Sequence, residues 1–229
     1  APGPGHGPPR LRAADPSAPA PLLRPVPAAM SWDERYGVDH WIYGTEPNDF
    51  LAAHADRIPA AGRVLCLGDG EGRNGVFLAG RGHRVTSLDA SAVGLAKAER
   101  LARERGVELA TVHADLARWT PGPEAWDAVV CVFLHLPAGL RRRVHADAAA
   151  ALAPGGVLLL EAYTPGQIGR GTGGPPDPAL MMTLDDLRTE LAGLRLEVGR
   201  EVEREIREGT KHTGSAAVVQ VVAVKPESG

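Results

Sequence analysis

Three glycines at alternate positions, Gly68, Gly70 and Gly72, follow the apolar run Val64-Leu65-Cys66-Leu67 and precede Arg73-Asn74-Gly75. Glycine there allows a left-handed backbone and lets a ligand approach the main chain closely. A helix opening directly behind such a loop offers unbonded N–H groups and the positive end of its dipole. The segment therefore has the chemistry of a cradle for a nucleotide-like ligand. Asp89 closes the next apolar run, about 20 residues on, where a carboxylate can accept from ribose hydroxyls. Three further residues have side chains suited to proton transfer or substrate binding. His135 follows a fourth apolar run, Tyr163 ends a fifth, and His212 lies in a polar loop near the C-terminus. Each of the three also fits a bland role, as a packed or solvated ring.

The elements that must position these residues can be read from periodicity and caps. Asn48 is placed to cap a helix running to about Ile58. Arg63–Leu67 reads as a short buried strand, Gly72–Ala79 as a helix and Arg84–Leu88 as a second strand. Ser91 caps a helix to about Arg105, with Gly106 as its stop. Val107–His113 and Trp126–Phe133 read as the third and fourth strands. A helix over Ala138–Leu152 is stopped by Pro154-Gly155-Gly156, and Val157–Tyr163 reads as the fifth strand. Helices between strands imply right-handed βαβ units and an α/β, doubly wound, mostly parallel sheet. Thr183 then caps a helix to about Leu191. The runs Glu201–Arg207 and Ala216–Val224 are joined by too few residues for a helical crossover, so they should pair antiparallel. That makes seven strands, the last two a C-terminal antiparallel hairpin.

The glycine loop admits two ligand classes. Gly70-x-Gly72-x-x-Gly75 fits the dinucleotide pattern, and Gly68-x-Gly70-x-Gly72 fits the pattern of S-adenosylmethionine (SAM) dependent methyltransferases. Asp89 serves either. His113-Ala114-Asp115-Leu116 resembles the acidic, adenine-contacting loop of methyltransferases. Trp126-Asp127-Ala128-Val129-Val130 and Leu152-Ala153-Pro154-Gly155-Gly156-Val157 resemble that superfamily's fourth strand and the entry to its fifth. A nicotinamide oxidoreductase and a non-catalytic SAM-binding protein are the competing readings. Cys66 stands where methyltransferases usually carry an acid, which points to weakened SAM binding unless Asp69 or Glu71 compensates.

Residues 31–226 as a whole resemble the tellurite-resistance and thiopurine-methyltransferase-like group of small class I methyltransferases. Four stretches carry the resemblance: Trp32–Tyr36 with Tyr43–Asn48, Phe133–Pro137, Glu161–Pro165 with Gly173-Gly174-Pro175, and Glu208-Gly209 with His212-Thr213-Gly214. It implies a Rossmann-like domain over residues 30–226 and SAM as the methyl donor. Tyr43, Gly68, Asp69, Gly70, Gly72, Asn74, Asp89, Ala90, Asp115, Leu116 and Val132 are the residues expected to line the cofactor. His135, Tyr163 and His212 are expected on the acceptor side. Methyl transfer from a sulfonium is an in-line displacement, so the protein mainly orients and desolvates. The acceptor expected is a small molecule with a sulfur, selenium, tellurium or oxygen nucleophile.

Composition narrows the rest. Acids outnumber bases 28 to 25, and only Lys97, Lys211 and Lys225 represent lysine, so nucleic acid is not the expected partner. No run approaches the roughly 20 apolar residues of a membrane span. Two cysteines, Cys66 and Cys131, both in apolar runs, make neither a disulfide framework nor a zinc set, and a reducing, cytoplasmic setting is expected. Residues 1–29, rich in Pro, Gly and Ala, read as a disordered extension, with Met30 as the natural start and a transit peptide as the lesser reading. A monomer or homodimer is expected. The run Arg141-Arg142-Arg143 reads as a solvated helix face. The Gly- and Pro-rich loop Thr164–Leu180 reads as a lid in which Gln167 and Arg170 could meet an anionic acceptor.

Overall fold

The computed structural model describes residues 31–227, so the expected extension over 1–29 lies outside the described residues. The strands are β1 (Arg63–Leu67), β2 (Arg84–Asp89), β3 (Ala110–His113), β4 (Trp126–Val132), β5 (Leu152–Tyr163), β6 (Arg195–Glu208) and β7 (His212–Val224). They form one sheet in the order β3-β2-β1-β4-β5-β7-β6. The first five are mutually parallel, and β7 runs antiparallel between β5 and β6. The helices are α1 (Trp32–Tyr36), α2 (Asp49–His54), α3 (Arg73–Gly80), α4 (Ala92–Arg105), α5 (Ala138–Ala151) and α6 (Leu184–Glu190). None of the described helices is long and apolar enough to cross a membrane.

Both sheet faces are covered, which is why the central strands read as unbroken apolar runs. Leu65, Leu67, Val129, Cys131, Leu158 and Leu160 face the side packed by α5 and α6. Val64, Cys66, Ala128, Val130 and Leu159 face the side of α2 and α3, against Phe50, Leu51 and Leu78. Cys66 pairs in register with Val130, so Cys131 points to the opposite face. The two thiols are therefore separated by the sheet, and burial pushes both up, Cys131 to about 12.

Local signals place most of the helix ends. Asn48, Ser91 and Thr183 each accept from a backbone amide of their own helix's first turn, and Gly106 ends α4 in the left-handed conformation. The strands depart from expectation in four places. β3 starts at Ala110 because the Val107 amide closes the α4 terminus onto Ala102. β5 starts at Leu152, because Leu152 pairs with Trp126 across a bulge and Gly155 and Gly156 bond to Lys225. β6 starts at Arg195, six residues before Glu201. It is an edge strand with Arg and Glu on its exposed side, and Gly199 and Arg200 interrupt the inward alternation of Leu196, Val198, Val202 and Ile206, so its first half does not read as a strand. β7 starts at His212, four residues before Ala216, because His212–Ser215 continue the hairpin pairing with Glu205–Glu208, so His212 stands on a strand and not in a loop.

Gly72 is a conformational requirement rather than a preference. Its φ is +85°, and a Cβ there would lie 2.4 Å from Ala98 Cβ and 2.7 Å from Ala98 Cα on α4. Gly72→Ala is expected to combine left-handed strain with overpacking and lower stability by about 2–4 kcal/mol. Urea unfolding would show it; a midpoint equal to the parent's would contradict the α3–α4 contact.

Candidate functional site

The C-terminal ends of β1, β2, β4 and β5 converge on one edge of the sheet, where a doubly wound fold binds ligands. Gly68, Gly70 and Gly72 all have positive φ, as the cradle requires. Asp89, at the end of β2, accepts from the Gly70 amide at 2.8 Å and from the Ser91 amide at 2.8 Å. Burial pushes its carboxyl up, and these amide bonds oppose the rise. Asp89 thus braces the middle of the glycine loop with a carboxylate on the ligand edge, and Ala90 is exposed beside it.

The acids flanking Gly70 face away from that edge. Asp69 accepts from the Gly75 amide at 3.2 Å and from Ser87 Oγ at 2.5 Å. Burial raises its carboxyl to about 7, against the pull of those bonds. Asp69 therefore supplies the loop-holding part of the role that an acid at position 66 would have, while Cys66 packs in the core. Glu71 accepts from the Ile42 and Tyr43 amides at 2.8 and 3.3 Å, and it pairs with Lys97 at 2.5 Å. Lys97 also donates to the Tyr36, Val38 and His40 carbonyls. These bonds lash residues 36–43 across the glycine loop. Tyr36 Oη lies 2.5 Å from where a Gly70 Cβ would stand, and Leu134 Cδ1 lies 2.7 Å from the same position at Gly68.

The three acceptor-side residues expected from sequence come together. His135 stacks on Tyr163 with ring centroids 5.6 Å apart and planes at 17°. His212 meets Tyr163 edge-on at 5.4 Å and Tyr43 at 4.5 Å. Phe133, which sequence reasoning did not single out as a site residue, closes the group against Tyr163 at 4.6 Å and His212 at 4.8 Å. Its φ of +52° is unusual for a bulky side chain, and such strain gathers at functional sites. His135 Nδ1 donates to the Leu180 carbonyl at 3.2 Å, and burial depresses its basicity to about 4. His212 Nδ1 donates to Glu208 at 3.4 Å. Burial pulls its pKa down, with Glu208 opposing.

Other expected residues sit apart from this group. Asn74 is buried and accepts from the Asn48 amide at 2.9 Å, a long-range bond that ties the start of α3 to the cap of α2. Asp115 is exposed and accepts from the Ala117 amide, while Leu116 is buried in the core and Val132 is half-buried. Arg170 pairs with Glu203, and Gln167 bonds to Thr172, Gly173 and Ala217, so both hold the lid loop itself. The arginine run is only partly a solvated face. Arg142 is exposed, but Arg141 is 4% exposed and forks onto Glu190, because α5 turns that side toward α6.

Sequence reasoning also missed a buried polar network under the site. Glu208 accepts from Arg73 at 2.7 Å and from Asn48 at 2.9 Å. Arg204 bonds to Glu161 at 2.6 Å, and Gln220 donates to Glu161 at 2.8 Å. The four-residue spacing of Glu208 and His212 across a tight turn was the signal available for their contact.

Gly173 covers the aromatic group. Its φ is +121°, and a Cβ there would lie 2.7 Å from Tyr163 Oη and 2.8 Å from His212 Cδ2. Gly173→Ala is expected to lift the loop between β5 and α6 while changing global stability by less than about 1 kcal/mol, since exposed loops open locally. Limited proteolysis should then cut within residues 164–183; an unchanged digestion pattern would contradict the contact.

Residues 64–156 match the family model described as a methyltransferase domain. Trans-aconitate 2-methyltransferase of Paracidovorax citrulli (strain AAC00-1) is 40% identical over 110 residues, covering 46% of this chain and 41% of that protein. Glycine/sarcosine N-methyltransferase of Halorhodospira halochloris is 39% identical over 138 residues, covering 58% of this chain and 48% of that protein. The chain thus spans less than half the length of these curated relatives. The solved structure of TehB from Haemophilus influenzae shares the fold with a TM-score of 0.62 at 19% identity, over 77% of this chain and 61% of that one. Solved SAM-dependent methyltransferases share the fold as well.

Proposed function

We propose that this chain, with a methyltransferase domain over residues 64–156, is a SAM-dependent methyltransferase acting on a small-molecule acceptor. The observation that carries the reading is the glycine loop braced by Asp89 at the edge where β1 and β2 end. The residues present fit SAM. Gly68, Gly70 and Gly72, all at positive φ, give the loop the left-handed turns that a ligand cradle needs. Asp89 suits ribose hydroxyls, half-buried Val132 offers apolar surface to an adenine, and Asp115 offers an acceptor at its rim. Tyr43 belongs to the strap that crosses the loop.

SAM, when bound, supplies an electrophilic methyl group on a sulfonium. The chain's own contribution is to hold the loop, to exclude water and to orient the acceptor. The strap over residues 36–43 and the lid bearing Gly173 cover the site from two sides. His135, Tyr163 and His212 form the acceptor wall, with Phe133 behind them. Membership of the tellurite-resistance and thiopurine-methyltransferase-like group is supported by the four stretches already described and by the fold shared with TehB. A sulfur, selenium, tellurium or oxygen nucleophile is the acceptor proposed.

Incubating the chain with SAM and separate thiol, hydroxyl and chalcogen-oxyanion acceptors tests this. Mass spectrometry should detect a methylated product with at least one class, together with S-adenosylhomocysteine. SAM bound without turnover on any class would favour the non-catalytic reading.

A further inference from the structure

We infer that the acceptor is an uncharged O–H or S–H nucleophile, held by its own hydrogen on His135 Nε2, and not an oxyanion. This rests on the methyltransferase reading above and narrows it. His135 Nδ1 must carry its hydrogen, because its partner is the Leu180 carbonyl, which can only accept. Nε2 is then a lone pair, buried and without a partner. The hydroxyl of Tyr163, a fully buried residue in the same stack, is likewise buried and unpartnered. Unsatisfied buried polar atoms are uncommon in native proteins and call for an explanation. An acceptor that donates X–H to Nε2 satisfies the histidine, and the tyrosine hydroxyl can bond the same atom.

The charges around this wall do not suit an anion. Arg73 is spent on Glu208, with both side chains buried. Arg141 is spent on Glu190 and on the Met181 carbonyl. Arg35 donates to Tyr43 Oη and lies over the Trp32 ring. Glu208 keeps a negative charge beside His212: burial would raise its carboxyl, but the His212 bond and Arg73 hold it at about 2. What remains toward the acceptor is aromatic surface, the His135 lone pair and the neutral Tyr163 hydroxyl.

The step balances as a substitution. The acceptor's X atom forms the new bond to the methyl carbon as the carbon–sulfur bond of SAM breaks, leaving its electron pair on sulfur. The X–H proton passes to His135 Nε2 and from there to solvent. A weakly basic imidazole takes a proton downhill from a methylated oxonium or S-protonated sulfonium.

The test is nitrogen NMR of the His135 ring in the full chain with S-adenosylhomocysteine, titrated in turn with phenol, anisole and selenite. Phenol should move the Nε2 resonance and bind about tenfold more tightly than anisole, which has the same shape and no hydrogen to donate. Selenite, titrated above its last ionisation and below phenol's so that it carries no hydrogen to donate, should leave the resonance unmoved. His135→Phe keeps a ring in the stack and should erase the difference between phenol and anisole while still binding S-adenosylhomocysteine. An Nε2–H tautomer, no response to phenol, or a selenite response equal to phenol's would each overturn the inference. If S-adenosylhomocysteine binds and phenol does not, this inference fails and the methyltransferase reading stands. If S-adenosylhomocysteine does not bind, that reading fails, and the tautomer and phenol results still decide the subsite.

Discussion

Glu208→Ala is expected to lower the unfolding free energy by about 3–5 kcal/mol, the usual cost of removing one partner from a buried ion pair. Glu208 is 5% exposed and accepts from Arg73, Asn48 and His212. Its loss strands the Arg73 guanidinium, 7% exposed, at the start of α3 directly behind the glycine loop. The pH dependence has a definite sign. The Glu208 carboxyl is depressed from 4.5 to about 2 despite its burial, so its contribution is complete above pH 4.5 and disappears as pH falls toward 2. The parent should therefore lose stability over that window more steeply than the variant. Urea unfolding at pH 7, 4 and 3 measures both effects. A loss below about 1 kcal/mol at pH 7, or parallel acid limbs, would show that the network does not hold β6, α3 and the Asn48 cap of α2 together.

Asp89→Ala is expected to weaken S-adenosylhomocysteine binding by about 10–100-fold, the worth of charge-assisted bonds to a buried carboxylate. Two losses combine. The ribose hydroxyls lose their acceptor, and the Gly70 and Ser91 amides lose the carboxylate that braces the loop. Asp89→Asn keeps one oxygen acceptor and should fall between parent and Ala. Titration calorimetry on the three proteins orders them; equal affinities would remove Asp89 from the ligand edge.

The parts of this fold that were legible in sequence are those with local causes. The caps at Asn48, Ser91 and Thr183 and the stop at Gly106 act within one turn of their own helices, so residue type alone reveals them. Gly68, Gly70 and Gly72 were legible because positive φ leaves few other residues to use. Buried parallel strands announce themselves as apolar runs. β6 was legible only over Glu201–Arg207, because Gly199 and Arg200 interrupt the alternation of its first half. The convergence of His135, Tyr163 and His212 was legible in part, since strand ends in this topology share one edge. The network of Asn48, Arg73, Glu161, Arg204, Glu208 and Gln220 was not, because its members come from distant positions that only the sheet order brings together. Arg141 shows the same limit: in sequence it is one of three equal arginines, and only the packing of α6 buries it. Asp69 and Glu71 looked like candidates to replace the acid missing at position 66. The structure divides them between bracing the loop and tying down the strap.

The central claim is that the edge formed by Gly68, Gly70 and Asp89 holds SAM. Calorimetric titration with S-adenosylhomocysteine, beside an identical titration with NADH, tests it most directly. Saturable binding of S-adenosylhomocysteine near one per chain, with no heat from NADH, is the predicted result. Binding of NADH in its place would contradict the account and make the loop a dinucleotide cradle.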